Sequence, residues 1–190
     1  MKTHEETLRI VCDYLNRHDV SYVVVGGLAV MYHGVPRTTV DIDFILRLDR
    51  SQSESLVSFL ELVGFSVSLQ DMLAAFSERS HCTALALDSP LRIDIQGVYS
   101  EFDRLTLERA VDAEFAGTRV RLGSVEDTLA NKILFGSEQD LRDALGIYIR
   151  HSNNLDYTYV ERVCQLLAIT AKWNRFLSAA KKKLRDGAYS

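Results

Sequence analysis

Between Tyr22 and Leu46 the chain reads Tyr-Val-Val-Val-Gly26-Gly27-Leu-Ala-Val-Met-Tyr-His-Gly-Val-Pro36-Arg37-Thr-Thr39-Val-Asp41-Ile-Asp43-Phe-Ile-Leu. No other stretch restricts the fold as tightly. The residues before Gly26 are β-branched or aromatic, as a buried strand prefers, and a glycine pair can turn where a Cβ would crowd the backbone or a ligand. Leu28 to His33 read as one or two helical turns. A helix that starts directly after a glycine turn aims backbone N–H groups and a partial positive charge outward, an arrangement suited to phosphate. In Val40-Asp41-Ile42-Asp43-Phe44 apolar residues alternate with carboxylates, so on a strand Asp41 and Asp43 share one face while Ile42 and Phe44 enter the core.

Two neighbouring carboxylates repel unless a cation sits between them. The hard cation that accepts a few carboxylates together with phosphate oxygens and waters is Mg²⁺, with Mn²⁺ as its substitute. Glycines for phosphates and Asp-x-Asp for the metal together suit a metal-bound nucleoside triphosphate.

The hydrophobic-Gly-Gly and Asp-hydrophobic-Asp-hydrophobic elements resemble the signature of the polymerase β-like nucleotidyltransferase superfamily. That resemblance implies a third carboxylate on a later strand, and Leu91-Arg-Ile93-Asp94-Ile95 supplies it in Asp94. It implies that Asp41 and Asp43 hold the metal bridging the triphosphate, and that Asp94 completes a second metal site or serves as general base. Gly26 and Gly27 would let the backbone approach the β- and γ-phosphates. The order Arg37-x-Thr39-x-Asp41-x-Asp43 is similar to the small AbiEii-toxin-like branch, which implies that Arg37 and Thr39 line the entrance as nucleotide-phosphate contacts, with the acceptor as the other partner open to Arg37. Lys132, followed by Asp140-x-x-Asp143, is similar to the same branch and would reach the nucleotide phosphates. Asp140 and Asp143 share a helix face and read as capping or ion-pairing groups. His33, Tyr32, Tyr148, Tyr157, Tyr159 and Trp173 read as packing residues.

The remaining chain fits an α+β fold, with a mixed sheet flanked by helices and a helical C-terminal part. Helices are expected at 3–18, 54–63, 70–76, 124–135, 138–150, 156–169 and 171–185, with caps at Ser51 or Ser53 and a capping box at Ser124-Val-Glu-Asp127. Strands are expected at 65–69, at 81–87 and 91–96 as a hairpin, and at 113–116 and 119–122 across Gly117-Thr118. The domain expectation is a catalytic core over 1–123 and a helical region over 124–190.

A chain of 190 residues, 47% hydrophobic and 25% charged, can bury a substantial core. It contains no apolar run of about 20 residues, and its first residues lack the apolar centre of a signal peptide, so a cytoplasmic location with no membrane partner is expected. Cys12, Cys82 and Cys164 are odd in number and widely separated, and read as buried thiols. The net charge of −4 divides into +5 from Thr170 onward and −9 before it. A basic end suits RNA or an acidic partner, and an acidic body suits a cationic small molecule.

The expected activity is transfer of a nucleoside monophosphate from a nucleoside triphosphate to a hydroxyl of a tRNA, a protein or a small molecule. A toxin of a toxin–antitoxin pair, with an antitoxin protein as partner, is a setting the resemblance implies. A non-catalytic nucleotide-binding or interaction module of the same fold, and γ-phosphoryl transfer at the same site, are the alternatives.

Overall fold

The computed structural model describes residues 3–115 and 117–185. Among them the chain forms seven strands in one mixed sheet and nine helices, an α+β architecture. It divides into two compact units. The first runs up to Leu28 and resumes over Thr38–Gly123; the second consists of Ala29–Arg37 and the chain from Ser124 onward.

The first unit opens with α1 (His4–Arg17), capped by a reciprocal box in which the Thr3 hydroxyl accepts from the Glu6 N–H and Glu6 reaches back to the Thr3 N–H. Its apolar stripe, Leu8, Val11, Cys12 and Leu15, is fully buried, and the helix packs on β7 (Thr118–Leu122). Strand β1 (Ser21–Val25) pairs antiparallel with β2 (Asp41–Arg47) and parallel with β7. Strand β2 pairs in parallel with β5 (Arg92–Gln96), and β5 pairs antiparallel with β4 (His81–Ala86). With β3 (Phe65–Ser66) and β6 (Val111–Phe115) at the edges, the order is β3-β4-β5-β2-β1-β7-β6.

Period-two alternation gives the centre of this sheet two distinct faces. Ile42, Phe44, Leu46, Ile93 and Ile95 lie on one face and are almost wholly buried. The register Asp41↔Arg92, Asp43↔Asp94 and Thr83↔Asp94 gathers the polar side chains on the other. Further along that polar face, Val23 and Ile45 pack against Leu107 of α5 (Glu101–Glu108).

Several boundaries differ from the sequence expectation for local reasons. Helix α3 (Arg50–Leu62) starts at Asp49 and not at Ser51 or Ser53, because Asp49 accepts from the Gln52 N–H while the Gln52 side chain accepts from the Asp49 N–H. The expected strand 65–69 ends after Ser66, since Ser68 is the N-cap of α4 (Leu69–Ser77). Helix α5 was not expected at all, although Ser100 and Asp103 form a capping box at its start. Ala116, the expected end of the sixth strand, lies outside the described residues, as does Asp186 of the basic end.

The helix α2 (Gly26–His33) begins in the first unit and passes into the second at Ala29. The second unit also holds α6 (Val125–Phe135), α7 (Glu138–His151), α8 (Tyr157–Leu166) and α9 (Thr170–Arg185). Its core is built around Val30, Leu129, Ile133, Ile147, Tyr148, Val160 and Trp173. Tyr148, Tyr159 and Trp173 are buried there, as packing residues should be, while Tyr32 is exposed. Ser124 caps α6 by accepting the Asp127 N–H, and Asp127, 1% exposed, accepts the hydroxyls of Ser124 and Tyr159, each at 2.7 Å. Cys12, Cys82 and Cys164 are buried free thiols, and burial, against a weaker lowering by the Tyr22 hydrogen bond, leaves the Cys12 thiol pushed up to about 12. Among the described residues no helix is long and apolar enough to cross a membrane.

Candidate active site

Strand β1 delivers Val25 directly opposite Asp43, so the turn that follows must pass beside that carboxylate. The turn does so through Gly26, whose φ of +61° lies in the left-handed region that favours glycine. A Cβ at this position would collide with Asp43 Oδ2 and come within 2.6 Å of Asp43 Cγ. Gly26 is thus required twice, by its backbone angle and by its neighbour. Gly27 follows in the first turn of α2.

Asp43 and Asp94 are register partners on adjacent parallel strands, on the same face and both partly buried. Thr83 donates its hydroxyl to Asp94 Oδ1 at 2.5 Å, which leaves Oδ2 as the oxygen turned to other partners. Asp41 stands one strand position pair further out, and its own register partner is Arg92. The Arg92 guanidinium grips it with two nitrogens, Nε in ion-pair contact with Oδ1 and an NH2 nitrogen donating to Oδ2 at 2.9 Å. The same Nε lies 3.8 Å from Asp94 Oδ2. The hydrogen bond to Asp41, and then the fields of Asp41, Asp94 and Asp43, hold the Arg92 guanidinium above its ordinary range. Thr39 secures the entry to β2, its hydroxyl donating to the Asp41 carbonyl at 3.3 Å and accepting from the Asp41 N–H at 3.4 Å.

Arg92 and Thr83 were not singled out from the sequence. A usable signal existed for Arg92, since it stands two residues before Asp94 on a strand and therefore shares its face. No comparable signal existed for Thr83, which reaches Asp94 through strand pairing.

Arg37 and Lys132 belong to the second unit, where they form a compact ion cluster. Lys132 Nζ lies 2.9 Å from Asp140 Oδ1 and 3.8 Å from Asp143 Oδ2, and Arg37 Nε lies 3.2 Å from Asp143 Oδ2. The side chains of Asp143 and Lys132 are only 4% and 11% exposed. Gln139 donates to the other Asp143 oxygen at 2.7 Å. Asp140 is also the capping-box acid of α7, accepting from the Ser137 N–H and hydroxyl. Burial pushes the Asp140 carboxyl up, but hydrogen bonds from Ser137 and Lys132, with the lysine charge, outweigh it and hold the group below the usual range. The two cations expected at nucleotide phosphates are, in this arrangement, neutralised by two carboxylates.

The carboxylates fit a divalent cation in kind. Asp41 Oδ1 is buried and accepts no hydrogen bond, standing in ion-pair contact with Arg92 Nε, and Gly26 carries no Cβ to crowd Asp43 Oδ2. They do not form a closed cage, since among the described residues no group of three or more His, Cys, Asp or Glu side chains is arranged to hold a metal. An open site of few carboxylates is what Mg²⁺ takes when phosphates and waters fill the remaining positions.

A family model described as "Nucleotidyltransferase of unknown function (DUF6036)" matches residues 3–170. The chain belongs to this nucleotidyltransferase family. The likeness extends to solved structures over nearly the whole chain. An antigenic nucleotidyltransferase-like protein from Paracoccidioides brasiliensis is 18% identical with a TM-score of 0.60, covering 94% of this chain and 91% of its own. The ANT(2'')-Ia structure in complex with adenylyl-2''-tobramycin is 16% identical with a TM-score of 0.58, covering 92% and 99%. The lincomycin-bound lincosamide antibiotic adenylyltransferase LnuA is 18% identical with a TM-score of 0.52, covering 76% and 96%. At these identities the shared property is the fold, an α+β nucleotidyltransferase fold as the glycine and aspartate signature implied. Among curated protein sequences none matches the chain.

Proposed function

We propose that this protein transfers a nucleoside monophosphate from a nucleoside triphosphate to a hydroxyl of a small-molecule acceptor, in a reaction that depends on Mg²⁺ or Mn²⁺. The observation that carries the reading is the juxtaposition of Gly26, Asp43 and Asp94, a glycine turn pressed against one carboxylate whose register partner is another. Asp41 and Asp43 would hold the cation, with Asp94 at a second site, and the chemistry such a cation would supply is neutralisation of charge on the triphosphate and on the attacking oxygen. Gly26 and Gly27 bring backbone N–H groups to the phosphates. Asp94 Oδ2, the oxygen not engaged by Thr83, receives the proton of the acceptor hydroxyl. The freed oxygen bonds to the α-phosphorus, the bond from that phosphorus to the bridging oxygen breaks, and pyrophosphate leaves. Thr39, Arg37 and Lys132 would be the phosphate contacts that the resemblance implies, the two cations on exchanging their carboxylate partners for phosphate.

The choice of a small molecule over tRNA or protein is supported by two observations. The neighbours named for tobramycin and lincomycin are matched over 92% and 76% of this chain, and the chain before Thr170 carries a charge of −9, which suits a cationic acceptor better than a polyanion. The experiment is incubation with each α-labelled nucleoside triphosphate, Mg²⁺, and a panel of aminoglycosides, lincosamides and bulk tRNA. Labelled small-molecule product with stoichiometric pyrophosphate, absent in Asp43→Asn, is the expected result. Label on tRNA would reassign the acceptor, and growth arrest on expression that requires Asp41 and Asp43 would bring in the toxin setting and its antitoxin. Release of nucleoside diphosphate would indicate γ-phosphoryl transfer, and nucleotide binding without turnover a non-catalytic module.

A further inference from the structure

Arg92 has no part in the reaction as written, yet it is paired to Asp41 at the outer end of the carboxylate face and reaches towards Asp94. We propose that it is a resident counter-ion, standing between Asp41 and Asp94 while no metal is bound and displaced from them when a divalent cation arrives. The proposal rests on the reading of Asp41, Asp43 and Asp94 as a metal site.

Three aspartates on one face of two paired strands carry like charges that the fold forces together. Among the interactions resolved at this face, Arg92 supplies the compensating charge, held by register opposite Asp41, bidentate to it, and 3.8 Å from Asp94. A guanidinium does not release its proton at any physiological pH, so the charge leaves only if the side chain moves. Movement is open to it, because the Arg92 side chain is 45% exposed while its partners Asp41 and Asp94 are 26% and 21% exposed. Asp41 Oδ1 is the critical atom. It is buried, accepts no hydrogen bond, and is contacted by Arg92 Nε, so guanidinium and metal compete for the same oxygen.

Two consequences follow. Free metal binds weakly, because it must expel a cation that is already well placed. A metal–nucleotide complex binds better, since its phosphates offer the released guanidinium a new anionic partner. The exchange would make occupancy of the metal site conditional on the nucleotide.

The test uses Mn²⁺ alone, without nucleotide, titrated into the wild type, Arg92→Met and Arg92→Met/Asp43→Asn, with bound metal counted by loss of the free-ion electron paramagnetic resonance signal. The expected result is weak binding by the wild type, at least tenfold tighter binding by Arg92→Met, and loss of that gain in the double variant. Equal affinity of wild type and Arg92→Met, with binding still dependent on Asp43, overturns the counter-ion and leaves the metal site standing. No binding of Mn²⁺ by any of the three forms overturns the metal site and the counter-ion together. A measurement on the unmutated protein covers the case in which Arg92→Met folds poorly. The Arg92 Nε–H resonance, assigned by its absence from Arg92→Lys, should move in step with Mg²⁺ added with nucleotide, and a resonance that stays fixed while the site fills contradicts displacement.

Discussion

Replacing Gly26 with alanine separates two demands that the fold makes on one residue. The first is backbone conformation, since a φ of +61° costs an L-residue about 1–2 kcal/mol. The second is space, since the new Cβ would overlap the Asp43 carboxylate and sit 3.1 Å from Asp43 Cβ. Relieving such overpacking costs about 1–3 kcal/mol more, so Gly26→Ala should destabilise by about 2–5 kcal/mol in total. Gly117 provides the control, because its φ is +78° and an added Cβ there would have nothing within 4 Å. Gly117→Ala therefore reports the backbone cost alone, about 1–2 kcal/mol, and the loss of unfolded-state freedom on going from glycine to alanine is common to both variants. Guanidinium denaturation followed by far-ultraviolet circular dichroism gives the two values. In an Asp43→Ala background the Gly26→Ala cost should fall to nearly that of Gly117→Ala, since the carboxylate that the methyl group meets is gone. Equal costs at Gly26 and Gly117 in the wild-type background would refute the argument that the turn is built against Asp43. Gly26→Ala should also lower nucleotidyl transfer by more than its stability loss explains, because Asp43 is pushed from its place.

Lys132→Met should destabilise by about 3 kcal/mol in the same assay, because it leaves Asp140 and the buried Asp143 short of a cation, whereas Arg37→Ala, which leaves Lys132 beside Asp143, should cost less. The Asp140 carboxyl is held below its ordinary value in the folded chain, so the stability it adds is fully present above the unfolded value near 3.8 and is lost as pH falls through the lower folded value. The stability difference between wild type and Asp140→Asn should accordingly be constant near neutrality and shrink below about pH 4, and a difference that grows on acidification contradicts the assignment. Cys12, Cys82 and Cys164 are buried with thiols pushed up by burial, so a disulfide reagent at pH 8 should label none of them until denaturant is added.

The fold class was legible because its signals are local. Alternation of apolar and acidic residues marks β2, the Gly26-Gly27 turn marks the passage from strand to helix, and Leu8, Val11, Cys12 and Leu15 mark the stripe of α1. The misplaced start of α3 and the missed α5 are failures of cap reading, where Asp49 with Gln52 and Ser100 with Asp103 carried the signal. Asp41, Asp43 and Asp94 could be picked out in sequence, whereas the pairing that sets Asp43 beside Asp94 comes from strand register.

The sequence by itself determined which residues alternate, where the chain must turn and which charges are available, since those properties depend on neighbours within a few positions. Tertiary structure alone decided what each charge faces. It set Arg92 on Asp41 through a register pairing, Thr83 on Asp94 through the adjoining strand, and Arg37 with Lys132 on Asp143. A side chain's electrostatic partner is the nearest opposite charge in space, and proximity between distant segments is created only when the sheet and the helices close around their cores.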